Sequence, residues 1–195
     1  MPFTGKLLIF CAPSGAGKTT IVHHLLQKFS ERLDFSISAT TRPPRGEEQH
    51  GADYYFLSTA DFDQKLMEGA FVEYAQVYDD VFYGTLYDEL RRIWQQHKHV
   101  LFDIDIEGAA NLKRQFGERA LTVFVQPPSL QVLEERLRKR QTDDEATIRK
   151  RLRKAKTEMQ AAPQFDQVLV NDELSRCLSE AESLTEDFLQ TQLSN

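Results

Sequence analysis

The chain is predicted to fold as an α/β protein around a parallel sheet, and three observations carry that expectation. Lys6-Leu7-Leu8-Ile9-Phe10-Cys11-Ala12 is a short continuous apolar run, as expected of a strand buried on both faces. Further runs of this kind occupy 100–106, 121–125 and 167–170. Stretches with helical spacing separate them, at 86–96, 107–115 and 130–140, and strands that alternate with helices imply a parallel sheet covered on both sides. A length of 195 residues suits one large domain or one domain carrying insertions; at that size about 70% of the unfolded surface can be buried, and no disulfide or metal is needed for stability.

Taken in order, the first strand is followed by a glycine-containing turn and, from Thr19, by a helix with Ile21, Val22, Leu25, Leu26 and Phe29 on one face. The alternation then breaks. From about Ser36 to Thr85 the chain reads as short strands rich in Tyr and Phe, at 54–57 and 71–75, with one helix between them from near Ser58 to Gly69, an inserted mixed lobe. A second interruption is the basic stretch beyond residue 130, where Thr142-Asp143-Asp144-Glu145 supplies a capping box for a helix running until Pro163. Two helices joined at a polar turn make a mobile flap. An acidic helix over 173–193 closes the chain against the core, and there is no internal repeat or low-complexity linker.

Composition excludes whole classes. With 41% hydrophobic and 28% charged residues and a mean hydropathy of −0.49, the chain is neither a disordered tail nor a membrane protein. No apolar run approaches the roughly 20 residues of a membrane span, and the start lacks the pattern of a signal peptide. Cys11 and Cys177 both lie in apolar or helical patterns and give no reason to invoke an oxidising compartment. A soluble cytoplasmic protein without a membrane partner is expected. The net charge of −6 argues against nucleic acid, but it is unevenly spread: between Glu134 and Lys156 ten Lys/Arg face five Asp/Glu, so this segment carries +5 and the remainder −11.

Ala12-Pro13-Ser14-Gly15-Ala16-Gly17-Lys18-Thr19 fits a phosphate-binding loop, with Ala12 where a first glycine usually stands. Backbone N–H groups left unpaired by such a turn and by the helix start point into a concavity that accepts phosphate oxygens. Gly15 and Gly17 supply unusual dihedrals, Lys18 reaches the β- and γ-phosphates, and the Thr19 hydroxyl can ligate Mg²⁺. The loop predicts a nucleoside triphosphate and leaves the acceptor unnamed. Asp103 and Asp105, spaced by two, are expected on one face at the end of a strand, where ligands of open α/β sheets gather; a carboxylate there can hold Mg²⁺ directly or through water.

Further segments carry a family resemblance: Ser36-Ile37-Ser38-Ala39-Thr40-Thr41-Arg42-Pro43-Pro44-Arg45, Gly51-Ala52-Asp53-Tyr54-Tyr55-Phe56, Phe71-Val72-Glu73-Tyr74, Tyr83-Gly84-Thr85, Asp103-Ile104-Asp105-Ile106-Glu107-Gly108 and Val170-Asn171-Asp172. In this order, from about residue 5 to 175, the chain resembles the guanylate kinases. The resemblance implies a P-loop kinase with a five-stranded parallel core (1–35, 89–127 and 157–195), a GMP-binding lobe over 36–88 and a helical lid over 128–156. It implies the reaction of ATP with GMP, and with dGMP as a further acceptor, to give ADP and GDP with Mg²⁺ held by Thr19 and Asp105, in purine nucleotide metabolism and GMP recycling. ATP would lie along 12–20, with Arg136, Asn171 and Asp172 as further contacts and Asn171 near the adenine.

Residue by residue, the resemblance assigns Arg42, Arg45, Tyr54 and Tyr83 to the phosphate of GMP, and two guanidinium forks with two phenols do suit a dianion. Ser38, Glu73, Thr85 and Asp103 would face the guanine. A carboxylate accepts from N1–H and the 2-amino group together, which adenine does not offer in that arrangement, so Glu73 is the expected determinant of base choice. Arg136, Arg140 and Arg151 match the family's lid arginines in spacing; in the closed state all three would surround the transferring phosphoryl group with Lys18, Arg45 and Mg²⁺. Two features depart from the pattern. Gln141 stands where the family usually has glycine, and Arg138, Lys139 and Lys150 have no catalytic counterpart and are expected to be solvated.

His23, His24, His97 and His99 form no metal-ligand constellation, and Cys11 reads as a small buried apolar residue beside the loop. A catalytically silent guanylate-kinase-like binding module, or a related kinase with another acceptor, stays open as an alternative; Lys18, Thr19, Arg140 and Arg151 speak against the first and the guanine-facing set against the second. Oligomeric state, monomer or homo-oligomer, is undecided.

Overall fold

The computed structural model describes residues 5–78, 80–139 and 144–191. Its core is a five-stranded sheet in the order β2-β7-β1-β8-β9, formed by β1 (Leu7–Cys11), β2 (Leu33–Phe35), β7 (His99–Asp103), β8 (Ala120–Gln126) and β9 (Gln167–Val170), and every pairing is parallel. The continuous apolar runs follow from burial on two faces. Leu8 and Phe10 pack with α1 (Lys18–Lys28) and α7 (Leu174–Gln190), while Leu7, Ile9 and Cys11 pack with α3 (Tyr87–Gln95) and α4 (Ile106–Phe116). Each fully buried Leu, Ile or Phe contributes about 1.5–3 kcal/mol, so this alternation on β1 alone fixes its register firmly. Lys6, just ahead of β1, donates to the carbonyls of Phe188, Leu189 and Thr191 and so caps the end of α7.

A second sheet, β4-β3-β6-β5, lies between β2 and α3 in the chain and comprises β3 (Ala39–Thr40), β4 (Tyr55–Phe56), β5 (Phe71–Tyr78) and β6 (Val81–Leu86). Its β3–β4 pair is parallel and its other pairs antiparallel, the mixed character expected from the sequence. One face packs on α2 (Thr59–Met67) through Phe62 and Phe71, and Ser58 caps that helix by accepting from the Asp61 N–H at 3.0 Å. β2, β3 and β6 had no counterpart in the expected strands.

Beyond β8, α5 (Leu130–Lys139) and α6 (Glu145–Gln160) pack together through Leu133, Leu137, Ile148 and Ala155. The cap of α6 is Asp144, which accepts from the Thr147 N–H at 2.7 Å; Thr142, expected in that role, lies outside the described residues, as do Arg140 and Gln141. The helix stops at Gln160, ahead of Pro163. No helix among the described residues is long and apolar enough to cross a membrane.

Candidate functional site

The carboxyl end of the core sheet opens into a cleft of about 520 Å³, bounded by residues 12–20, by Asp103, Ile104, Asp105 and Ile106, by the second sheet, and by one face of α6. The floor begins at the loop after β1. Gly17 has φ +96° and a Cβ there would lie 2.3 Å from Asn171 Nδ2, so both its dihedral and its contact require glycine. No side chain caps α1 at Gly17, which leaves the first N–H groups of the helix directed at the cleft, an arrangement suited to phosphate. Ala12 lies outside the left-handed region, so alanine in place of the first glycine carries no strain.

Lys18 pairs with Asp103 and also reaches the Ile104 carbonyl at 3.4 Å. Asp103, expected to face the guanine, lines the cleft and is the partner of the loop lysine. Asp105 departs from the strand position expected for it. The strand ends at Asp103, and Asp105 is the N-cap of α4, accepting from the Gly108 N–H at 2.8 Å, because a short carboxylate that can bond its own backbone favours a helix start over a strand. Both still line the cleft beside Thr19. Hydroxyl and carboxylate oxygens of this kind fit Mg²⁺, which keeps waters and phosphate oxygens as most of its ligands and needs no dedicated protein cage; among the described residues no group of three metal-ligating side chains exists. Cys11 donates to the Asp105 carbonyl, and burial pushes its thiol up to about 12, so it is inert packing.

Glu73 on β5 stands opposite Thr85 on β6, only 8% exposed, and accepts from the Thr85 hydroxyl at 2.7 Å. Burial pushes its carboxyl up to about 7 against the opposing effect of the Thr85 bond. A Cβ at Gly108 would come within 3.0 Å of Glu73 Oε2, so that glycine lets α4 approach the carboxylate. Ser38, Arg45, Tyr54 and Tyr83 line the same end of the cleft, with the two phenol rings edge to face at 6.0 Å. Arg42 does not reach the cleft wall. Its guanidinium, 7% exposed, is held by both oxygens of Glu48 at 2.6 and 2.8 Å, donates to the Tyr83 oxygen at 3.1 Å, and lies over the Tyr54 ring. A buried cation must be paired, and Glu48 satisfies that requirement from within the same loop.

On α6, Arg151 donates to Ser14 Oγ of the loop at 2.9 Å, and Lys154 and Glu158 extend the same face at helical spacing. Burial raises the Glu158 carboxyl above its ordinary range. Arg136 on α5 donates to the Asn171 carbonyl at 2.8 Å, beside a second cavity of about 360 Å³ lined by Gly15, Gly17, Thr20, Asn171 and Asp172 among others. Asn171 itself is buried, and its amide donates to the Ala16 carbonyl at 2.8 Å.

With this geometry in place, a model of the family described as guanylate kinase matches residues 4–188. The chain belongs to the guanylate kinase family. The guanylate kinase of Bacteroides thetaiotaomicron is 47% identical over 95% of this chain and 91% of its own length, and that of Porphyromonas gingivalis 46% identical over 94% and 98%. The crystal structure of guanylate kinase from Anaplasma phagocytophilum superposes with a TM-score of 0.73 over 98% of this chain and 89% of that chain; at 24% identity this likeness speaks for the P-loop kinase fold. The protein is an enzyme of the guanylate kinase family, a nucleotide-binding kinase, and phosphorylation of GMP by ATP is the general activity that membership carries.

Of the residues expected from the sequence, those of the guanylate kinase loop other than the buried Ala16, with Ser38, Arg45, Tyr54, Glu73, Tyr83, Asp103, Asp105 and Arg151, meet in the one cleft. Thr85 and Arg42 sit one layer behind, bonded to Glu73 and Tyr83. Arg140 lies outside the described residues. Sequence reasoning missed Glu48, Lys154 and Glu158. A carboxylate three residues after Arg45 and the 151, 154, 158 spacing were the available signals. Arg138 pairs with Glu134 and Glu145 and joins α5 to α6. His24 pairs with Glu182, while His97 occupies a turn at φ +58° and His99 begins β7, accepting from the Lys6 N–H.

Proposed function

We propose that the chain transfers the γ-phosphoryl group of ATP directly to GMP or dGMP. The observation that carries this reading is the presence, in one cleft, of a phosphate loop and of a buried carboxylate, Glu73, with Ser38 lining the same cleft. A buried acceptor opposite N1–H and the 2-amino group selects guanine, since adenine would leave it unpaired. Arg45, Tyr54 and Tyr83 then hold the acceptor phosphate, with Arg42 orienting Tyr83: because the Tyr83 oxygen accepts from Arg42, its own proton is directed elsewhere, toward the cleft.

An oxygen of the GMP phosphate attacks the γ-phosphorus in line, the bond to the β–γ bridging oxygen breaks, and ADP leaves. The acceptor is already an anion, so no protein nucleophile is required and the side chains align reactants and neutralise charge. Lys18, Arg45 and Arg151 serve that role, joined by Arg140; Thr19 and Asp105 would hold Mg²⁺, which supplies charge neutralisation on the β- and γ-oxygens. Lys18 must exchange Asp103 for phosphate oxygens as ATP enters. In this reading residues 36–88 act as the GMP lobe and 128–156 as the lid, and Asn171, Asp172 and Arg136 flank the adenine, Asn171 by holding the loop at Ala16. Closure of the lid expels water and suppresses ATP hydrolysis.

ADP release from purified protein with ATP and Mg²⁺, offered GMP, dGMP, AMP, CMP, UMP, dTMP or a ribose phosphate in turn, tests the assignment. GMP and dGMP should turn over far faster than the rest; equal turnover with AMP would sink it.

A further inference from the structure

One buried carboxylate that no part of the reaction uses ties the acceptor half of the cleft to the core, beside the packing of Val72. Glu89 sits in the first turn of α3, a place where acidic side chains ordinarily point to solvent and meet the helix dipole. Here it faces inward, 2% exposed, alongside Leu90 and Ile93. A buried carboxylate is tolerated only when its lone pairs are matched, and four donors match them. Oε1 accepts from the Ile37 N–H at 2.9 Å and from Arg92 Nη2 at 2.8 Å, and Oε2 accepts from the Tyr55 hydroxyl at 2.9 Å and from Arg92 Nε at 3.0 Å. Arg92 continues the network into β2, donating to Asp34 Oδ2 at 2.8 Å and to the Phe35 carbonyl at 3.1 Å.

These partners belong to three different parts of the molecule. Asp34 and Phe35 lie on the edge strand of the core sheet, Tyr55 on β4 of the second sheet, and Ile37 on the segment crossing between them. Three successive residues hand the backbone across. The Ser36 N–H donates to the Leu101 carbonyl in the core, the Ile37 N–H to Glu89, and the Ser38 carbonyl accepts from the Tyr55 N–H in the second sheet. Both atoms that Glu89 grips outside α3 are one residue from the cleft: Ile37 precedes Ser38, and Tyr55 follows Tyr54.

We infer that Glu89, braced by Arg92, is a positioning residue that sets the guanine end and the phosphate end of the acceptor site relative to the phosphate loop. It touches neither nucleotide, and it rests on the proposed reading only in that the acceptor bound between Ser38 and Tyr54 is GMP. Loosening it moves Ser38 and Tyr54 together while leaving residues 12–20, which hang from β1 and α1, in place.

Tyr55→Phe removes the link to β4 alone, and Glu89→Gln removes the charge and one acceptor. Each should raise the KM for GMP about tenfold with the KM for ATP within about twofold of wild type, the split that distinguishes a positioning role from general destabilisation. Because both changes break one device, the double variant should show no more loss than the more impaired single variant. A GMP KM unchanged in Tyr55→Phe, or GMP and ATP constants rising together, would overturn the inference, and Tyr55→Phe decides it alone where Glu89→Gln fails to fold. Amide hydrogen exchange on the nucleotide-free protein reads the clamp without either substrate. Residues 37–41 and 55–57 should lose protection in both variants while β1 keeps its own, and unchanged protection at 37 and 55 would overturn the clamp. Wild-type protein indifferent to GMP would sink the proposed reaction instead, and the exchange result would still decide the clamp.

Discussion

At Glu73, burial and the proposed recognition of guanine pull one carboxyl in opposite directions. Burial raises it to about 7, above the ordinary value of 4.5, whereas acceptance from guanine N1–H and the 2-amino group requires the ionised form. Between those two values the folded protein binds more protons at this site than the unfolded chain, so the stability that Glu73 contributes falls as pH rises through the window. Guanine binding runs the other way, because its affinity is lost as pH drops below about 7 and the carboxyl takes up a proton. The KM for GMP should therefore rise toward a limit of about tenfold per unit of pH below 7. Glu73→Gln should raise that KM at least about tenfold at pH 8, leave the ATP constant near its original value, and flatten the pH profile down to the ionisation of the GMP phosphate near about 6. A profile that keeps its slope in Glu73→Gln would assign the titration elsewhere. The residue type and its place on a strand were readable from the sequence. The pairing of Asp103 with Lys18 and of Arg42 with Glu48 was not, since each unites charges whose proximity depends on how loops fold back rather than on local spacing.

Among the elements, the central strands were legible because burial on both faces leaves an uninterrupted apolar run, as on β1, and the edge strand β9, of which only Leu169 is buried, still has the expected bounds of 167–170. Strands of two or three residues, β2 and β3, carry too few side chains to show a period, and their pairing is decided by tertiary contact. The boundary between β7 and α4 was misplaced for a chemical reason: Asp105 satisfies the Gly108 N–H and so ends the extended stretch at Asp103, three residues early. The same chemistry locates the start of α6 at Asp144, whose bond to Thr147 holds the turn from which Arg151, Lys154 and Glu158 are presented to the cleft. Asp144→Ala should cost about 1 kcal/mol, a fall in Tm of roughly 2–4 °C for a chain of this size, measured by thermal unfolding. Glu73 and its neighbours are on other elements, so the KM for GMP should stay unchanged; a rise comparable to that of Tyr55→Phe would mean that α6 and the second sheet are mechanically coupled.

For the whole molecule, the charge asymmetry of the sequence, +5 in residues 134–156 against −11 elsewhere, does not produce a positively charged cleft. Lys18, Arg45, Arg151 and Lys154 line it, and so do Glu73, Asp103, Asp105 and Glu158, four carboxyl groups against four cations. Arg138 is spent on Glu134 and Glu145, and Arg136 on the backbone of Asn171, so much of the basic segment serves to hold α5, α6 and β9 together. A triphosphate entering this balanced lining meets Asp103 and Asp105 as well as Lys18, and repulsion from those carboxylates is relieved only by a cation shared between them and the phosphates. On the proposed reading the acceptor end differs, because Arg45, Tyr54 and Tyr83 would offer donors to the GMP phosphate. Removing divalent cations with a chelator should therefore weaken ATP binding at least about tenfold while changing GMP binding by less than about twofold, read by calorimetric titration of each nucleotide separately. Equal loss for both nucleotides would place the cation between the two phosphate sites rather than at Thr19 and Asp105, and no loss for ATP would show that the loop amides and Lys18 outweigh the acidic wall unaided.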